Sequence, residues 1–209
     1  MPSWDLMLAF LAATLVFAYM PGPATIYASA QTLARGRRAG FMSVLGLRLG
    51  GYLHVLAAAL GLAALFRHVP EAYLAVKLAG ALYLIWLGIG ILRRRLDTEA
   101  VPHLPSKSAR RAFIESVTVE VLNPKTALFF IAFLPQFVDP AAAFPVAAQL
   151  LILGVIVNIL CSSADIACVL FASLLIARLC RSGAAGRLLR MAGGSLLVGL
   201  GLRLALVRD

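Results

Sequence analysis

Six ionisable side chains interrupt stretches of this chain that are otherwise apolar: Arg48, His54, Lys77, Glu120, Lys125 and Asp165. Inside a membrane span such a charge costs about 2.5–3.5 kcal/mol at the helix centre, so it normally faces a cavity or a partner. Two of the apolar stretches are also broken by proline, at Pro21-Gly22-Pro23 and at Asn123-Pro124-Lys125. Proline has no amide hydrogen, so these breaks free the carbonyls of Phe17, Tyr19 and Glu120. The amides that start the next helical segment point partial positive charge back toward the break. Such a place suits a zwitterion. A carboxylate can meet the amides, Asn123 and Lys125, while an ammonium meets freed carbonyls, Asp165 or Glu120.

Each of these residues also has a plainer reading. A proline can simply kink a helix, and Arg48, Glu120, Lys125 and Asp165 can neutralise one another as buried pairs. Asn158 precedes Asp165 by two helical turns and shares its face. His54 lies on one face with Gly46 and Gly50, where Gly46-x-x-x-Gly50 permits close helix contact. A histidine there can carry a proton or serve as a hydrogen-bonded structural group. Lys77 and Glu115 lie near enough to span ends to extend their charges to the interface. Asp165 and Glu120 are the candidates for coupling to a proton or an ammonium group.

Other chemistries lack their residues. There is no Gly-rich phosphate loop, no His-Glu-x-x-His and no Gly-x-Ser-x-Gly, and the three histidines are far apart, so no enzyme is expected. Cys161, Cys168 and Cys180 form neither a Cys-x-x-Cys nor a zinc pattern. No metal site and no cofactor are expected.

The elements that hold these side chains must be membrane helices. The 209 residues are 62% hydrophobic and only 13% charged, with a mean hydropathy of +0.93. Soluble domains are about 45–50% apolar and about 25% charged. At roughly 20 residues per span the chain holds six or seven spans and no separate soluble domain. The net charge of +10 sits in clusters between apolar runs, as topology signals do, rather than in a nucleic-acid surface. Six spans are predicted, over 5–31, 40–65, 70–92, 112–135, 143–177 and 187–206. Ala28-Ser29-Ala30 has the look of a cleavage site, but no basic segment precedes the first apolar run, which is kept as a span.

One alternate set of connections holds Arg35, Arg37, Arg38, Arg93, Arg94, Arg95, Lys107, Arg110, Arg111, Arg178, Arg181, Arg187 and Arg190. The other set, with both termini, holds Arg67, Arg203 and Arg208. Basic loops stay cytoplasmic, so both termini are expected outside the cytoplasm. The polar stretch 93–111 divides the chain into a first half, 1–92, and a second half, 112–209, of three spans each. Two halves with an odd number of spans are inverted relative to each other. At 1.5 Å per residue, Pro21 lies about 24 Å along the first span and Pro124 about 18 Å along the fourth, both near the membrane centre. The expected architecture is all-α and polytopic, an inverted 3+3 repeat with Pro-broken first and fourth spans.

Taken in order, Pro21-Gly22-Pro23, Gly46-x-x-x-Gly50-x-x-x-His54, the run Leu78-Ala79-Gly80-Ala81-Leu82-Tyr83-Leu84-Ile85-Trp86-Leu87-Gly88, and Asn123-Pro124-Lys125 with Pro135-Gln136-Phe137 resemble the LysE-type translocators. The likeness covers essentially the whole chain. It implies a six-helix protein of a bacterial inner membrane that exports amino acids, energised by protons and often dimeric. Asp165 sits where such proteins commonly have an acidic residue in the fifth span, whereas Arg48 and Glu120 depart from their usual uncharged positions. The combined expectation is export of a small neutral or cationic amino acid, homoserine/threonine-like or lysine-like, by alternating access. The alternatives are efflux of a metal cation or other small metabolite, and a non-transport membrane scaffold.

Overall fold

A computed structural model describes residues 4–20, 22–69, 71–93, 109–181 and 183–206. Among them all regular structure is helical, and there is no strand. The order is α1 (Trp4–Tyr19), α2 (Pro23–Arg35), α3 (Arg37–His68), α4 (Glu71–Arg93), α5 (Ala109–Val121), α6 (Pro124–Phe133), a 3-10 turn (Leu134–Phe137), α7 (Val146–Arg181) and α8 (Gly183–Leu206).

The six predicted segments correspond to these eight α-helices because two of them are broken. Gly22 is the extended N-cap residue of α2 and Pro23 its first helical residue, and α1 and α2 meet at 44°. Asn123 caps α6 with Pro124 at the first position, and α5 and α6 meet at 47°. Proline suits the first helical turn, where its missing amide has no partner to lose. Pro21 itself lies outside the described residues, as do Arg94, Arg95 and Lys107 of the central connection. By length and composition α3, Glu71–Gly90 of α4 and Val146–Phe171 of α7 can each cross a bilayer, and the two bent pairs raise the candidate spans to five. The predicted fifth segment exceeds a bilayer's thickness, and α7 bends at Phe171, whose φ of −112° and ψ of 17° are not helical.

Large apolar side chains face outward while several charges are buried. Leu82 and Trp86 are 65% and 68% exposed, whereas Glu120 and Asp165 are 2% exposed each. In lipid, helix association depends on close packing rather than on removing apolar surface from water, and glycine provides the approach. A Cβ at Gly46 would fall on the Phe113 carbonyl and Ser116 Oγ of α5, and one at Gly50 would lie 2.8 Å from Glu120 Cβ. The Gly46/Gly50 face therefore holds α3 against α5. Gly88 and Gly201 play the same part between α4 and α8, against the backbone at Gly194 and Ala81.

The apolar interior is dominated by a column of rings. Phe17 stacks on Phe129 with centroids 3.6 Å apart, Phe129 on Phe133 at 4.3 Å, and Phe133 contacts Phe10 and Phe137 at 5.7 and 4.8 Å. This column ties α1 to α6, the helices on either side of the two breaks. One expectation is corrected here. Lys77 does not extend to an interface: it is 7% exposed, its ammonium 5.9 Å from the Tyr73 ring centroid and its carbonyl accepting from Gln136 Nε2 at 2.7 Å.

Candidate functional site

The site is built from the two proline breaks. At the second, Asn123 Oδ1 accepts from the Lys125 backbone amide at 3.1 Å, the expected bond of a helix cap. Its Nδ2 donates to Glu120 Oε2 at 3.2 Å, so one side chain caps α6 and fixes the carboxylate on α5. The Glu120 carbonyl, which proline leaves without its helical donor, accepts from the Asn123 amide at 3.0 Å and from His54 Nε2 at 2.8 Å. A carbonyl can only accept, so Nε2 carries the hydrogen. This gives His54 a structural task at the break, the second of the two roles its position allowed.

With the α6 backbone so placed, the Lys125 side chain reaches the first break, 105 residues away in sequence. Its Nζ donates to the Met20 carbonyl at 3.3 Å and the Phe17 carbonyl at 3.5 Å, and lies 4.4 Å from the centroid of the Phe17 ring. A Cβ on Gly22 would lie 3.1 Å from Nζ, so the glycine between the two prolines leaves room for the ammonium. The two breaks meet, joined by one lysine.

Opposite lies a buried ion pair. Arg48 on α3 donates from one terminal nitrogen to Asp165 Oδ2 on α7 at 2.8 Å and from the other to Asn158 Oδ1 at 3.1 Å. Asn158 Nδ2 returns a bond to the Arg48 carbonyl at 3.1 Å, and Thr25 on α2 donates to Asp165 Oδ1 at 3.3 Å. The Arg48 and Asp165 side chains are 13% and 3% exposed. Of the pairings considered from sequence, Arg48 with Asp165 forms, and Glu120 takes Asn123 instead. Asn158 and Asp165, two turns apart, both face the guanidinium.

These groups face one cavity, lined among others by Phe17, Gly22, Thr25, Arg48, Glu120, Asn123, Lys125, Cys161 and Asp165. The space within it that water can enter is about 30 Å³, room for about two waters but not for an amino acid. Two cations and two anions face it, so its formal charge is balanced. Pro124, Gly46 and Gly50 lie outside the lining, the two glycines on the α3–α5 contact. Sequence reasoning did not single out Thr25, Cys161 or the Phe17 ring. Near the far end of α2 a further cluster forms, with Gln31 Nε2 donating to Tyr27 Oη at 2.7 Å and Tyr27 donating to Glu115 Oε2 at 3.2 Å. Glu115 also pairs with Arg111 at 3.0 Å. Among the described residues no group of three or more His, Cys, Asp and Glu could hold a metal ion.

The profile of the LysE type translocators matches residues 4–208. The chain is 34% identical over 147 residues to a homoserine/homoserine lactone efflux protein of Salmonella typhimurium, covering 70% of each chain. It is 29% identical over 139 residues to a leucine efflux protein of Klebsiella pneumoniae, covering 66% of each. An uncharacterized membrane protein of Pseudomonas aeruginosa is 34% identical over 145 residues, 67% of each. No solved structure matches the chain.

Proposed function

The chain belongs to the LysE type translocator family, and from that premise we propose that it exports a small amino acid across a bacterial inner membrane by alternating access. Amino-acid efflux follows from the family and from the relatives named for homoserine and leucine efflux. The observation that carries the site is the meeting of the two breaks, with Lys125 Nζ 3.3 Å from the Met20 carbonyl across the cavity. Interrupted helices that meet are a recurring way to bind substrate in transporters, because only there is backbone free to serve as ligand.

In this reading α1 with α2 and α5 with α6 are single broken spans. With α3, α4, α7 and α8 they make six spans in two inverted halves, 1–92 and 112–209, joined through a cytoplasmic 93–111 and with both termini outside. The halves rock about the cavity. Pro21, Gly22 and Pro23 expose backbone groups to the substrate, Asn123 and Lys125 contact its carboxylate with Pro124 making the break between them, and Asp165 is the coupling carboxylate with Glu120 as the other candidate. Arg48 and Asn158 hold Asp165, while Gly46, Gly50 and His54 keep α3 on α5. The balanced charge of the lining favours a net-neutral zwitterion, homoserine- or leucine-like, over lysine. One proton moving inward through 100 mV supplies about 2.3 kcal/mol, enough for roughly a fiftyfold gradient of a neutral substrate. Two copies pairing as a dimer would leave each cavity complete within its own chain.

The test is transport. Vesicles containing the purified protein are loaded with radiolabelled homoserine, threonine, leucine or lysine, and a pH gradient is imposed. A neutral amino acid should leave faster than from loaded vesicles without the protein, and faster again with the gradient. If none does, amino-acid export is wrong.

A further inference from the structure

The Lys125 ammonium occupies a place with the chemistry of a ligand site. Two carbonyls of the first break, Phe17 and Met20, point at it, and the Phe17 ring lies beneath it. The ring is held from its own side by stacking on Phe129 at 3.6 Å, and Gly22 leaves room overhead. Carbonyls together with an aromatic face recognise alkylammonium ions, the ring through its quadrupole and the oxygens through hydrogen bonds. The Phe17 carbonyl exists as an acceptor because residue 21 is proline and brings no amide to it. Nothing in this cradle depends on the ammonium being attached to α6.

We propose that the Phe17 and Met20 carbonyls and the Phe17 ring form a primary-ammonium site, which Lys125 fills as a tethered occupant while the cavity is closed, and which the α-ammonium of the exported amino acid takes over on binding. This deepens the export reading and rests on it for the identity of the substrate. The exchange conserves charge. The ammonium of the zwitterion replaces Lys125 on the carbonyls, and its carboxylate meets the displaced Lys125. A substrate then bridges the two breaks where the lysine side chain joined them directly. The small volume of the closed cavity follows, since the ammonium position is already taken. A corollary is that the substrate must be a primary amine. Carboxylic acids lacking the amine, and quaternary amines too large for the space beside Gly22, should be refused.

Lys125→Ala removes the side chain from Cγ to Nζ, which is n-propylammonium in outline. The purified variant in detergent is titrated with n-propylammonium chloride, and its thermal unfolding midpoint is followed. The expected result is a saturable rise of about 4 °C at ten times the dissociation constant, with no such rise in wild type, where the place is filled, or in Lys125→Met, whose side chain occupies the room that the propyl stem needs. Homoserine should compete in Lys125→Ala, and 4-hydroxybutyrate, which lacks the amine, should not. Lys125→Ser provides a second background should the alanine variant fail to fold. Absence of a saturable response, or an equal response to sodium or tetramethylammonium chloride, would overturn the site. So would competition by 4-hydroxybutyrate equal to that by homoserine. Binding is read without transport, so a failed site with intact wild-type export refutes this inference alone. An ammonium site in a protein that exports no amino acid would refute the export reading instead.

Discussion

The Arg48–Asp165 pair offers a way to separate what the site does for stability from what it does for transport. Asp165→Ala leaves a guanidinium buried among α2, α3 and α7 with its bonds to Asn158 and the Cys161 thiol but without its paired carboxylate. Breaking a buried pair from one side costs about 3–5 kcal/mol, because the remaining charge is uncompensated. Asn158 Oδ1, 3.1 Å from the guanidinium, and an arginine side chain still 13% exposed put the expected cost at the lower end, about 3 kcal/mol. For a chain of this length that lowers the thermal midpoint by about 6–12 °C. The double variant Arg48→Met/Asp165→Leu removes both charges and keeps most of the volume. It should regain the wild-type midpoint to within about 3 °C, as apolar replacements of buried pairs commonly do. Export from loaded vesicles should stay absent in both variants, since stability has returned but the coupling carboxylate has not. If the double variant exports at the wild-type rate, the pair is a structural brace and Asp165 has no part in coupling. A single variant as stable as wild type would show instead that the 2.8 Å contact is not what holds α3 to α7.

Other perturbations sort packing from chemistry. Gly50→Ala sets a Cβ 2.8 Å from Glu120 Cβ and should cost about 1–3 kcal/mol by forcing α3 off α5, seen as a lower thermal midpoint. On the same helix a Cβ at Gly61 meets nothing within 4 Å, so Gly61→Ala should stabilise by up to about 1 kcal/mol through helix propensity. His54→Gln keeps a donor for the Glu120 carbonyl. The pH profile of export should be unchanged, and a shifted profile would show that His54 carries the proton after all. Asp165→Asn should abolish export while membrane expression stays at the wild-type level, measured by immunoblot beside vesicle efflux.

The breaks were legible because proline acts locally. Pro-Gly-Pro and Asn-Pro-Lys interrupt a helix wherever they stand in an apolar run, and the cap bond from Asn123 to its own helix is a sequence-local event. Helical spacing likewise put Asn158 with Asp165, and His54 with Gly46 and Gly50. Spacing along one helix does not say which other helix its face will meet. The partners of Asp165 are Arg48 and Thr25, 117 and 140 residues away, so the pairing among the four charges stayed open until the helices were packed. The same limit applies to Lys77. Its distance along α4 from a span end says nothing of the packing that leaves it 7% exposed, with its carbonyl bonded by Gln136 from the 3-10 turn. Phe17 read as one more apolar residue, since the role of its ring depends on a lysine 108 positions later.

Cys161 provides the most direct probe of a cavity shared by both breaks and opened to each side in turn, because it lines that cavity beside Arg48 and Asp165. In a Cys168→Ala/Cys180→Ala background it is the sole thiol, and a membrane-impermeant maleimide can be applied to sealed vesicles from the inside or the outside. The expected result is labelling from each side, slowed by the exported amino acid, with an inward-locked or outward-locked variant labelled from one side alone. Labelling from a single side under every condition, at a rate no amino acid alters, would contradict alternating access at this site.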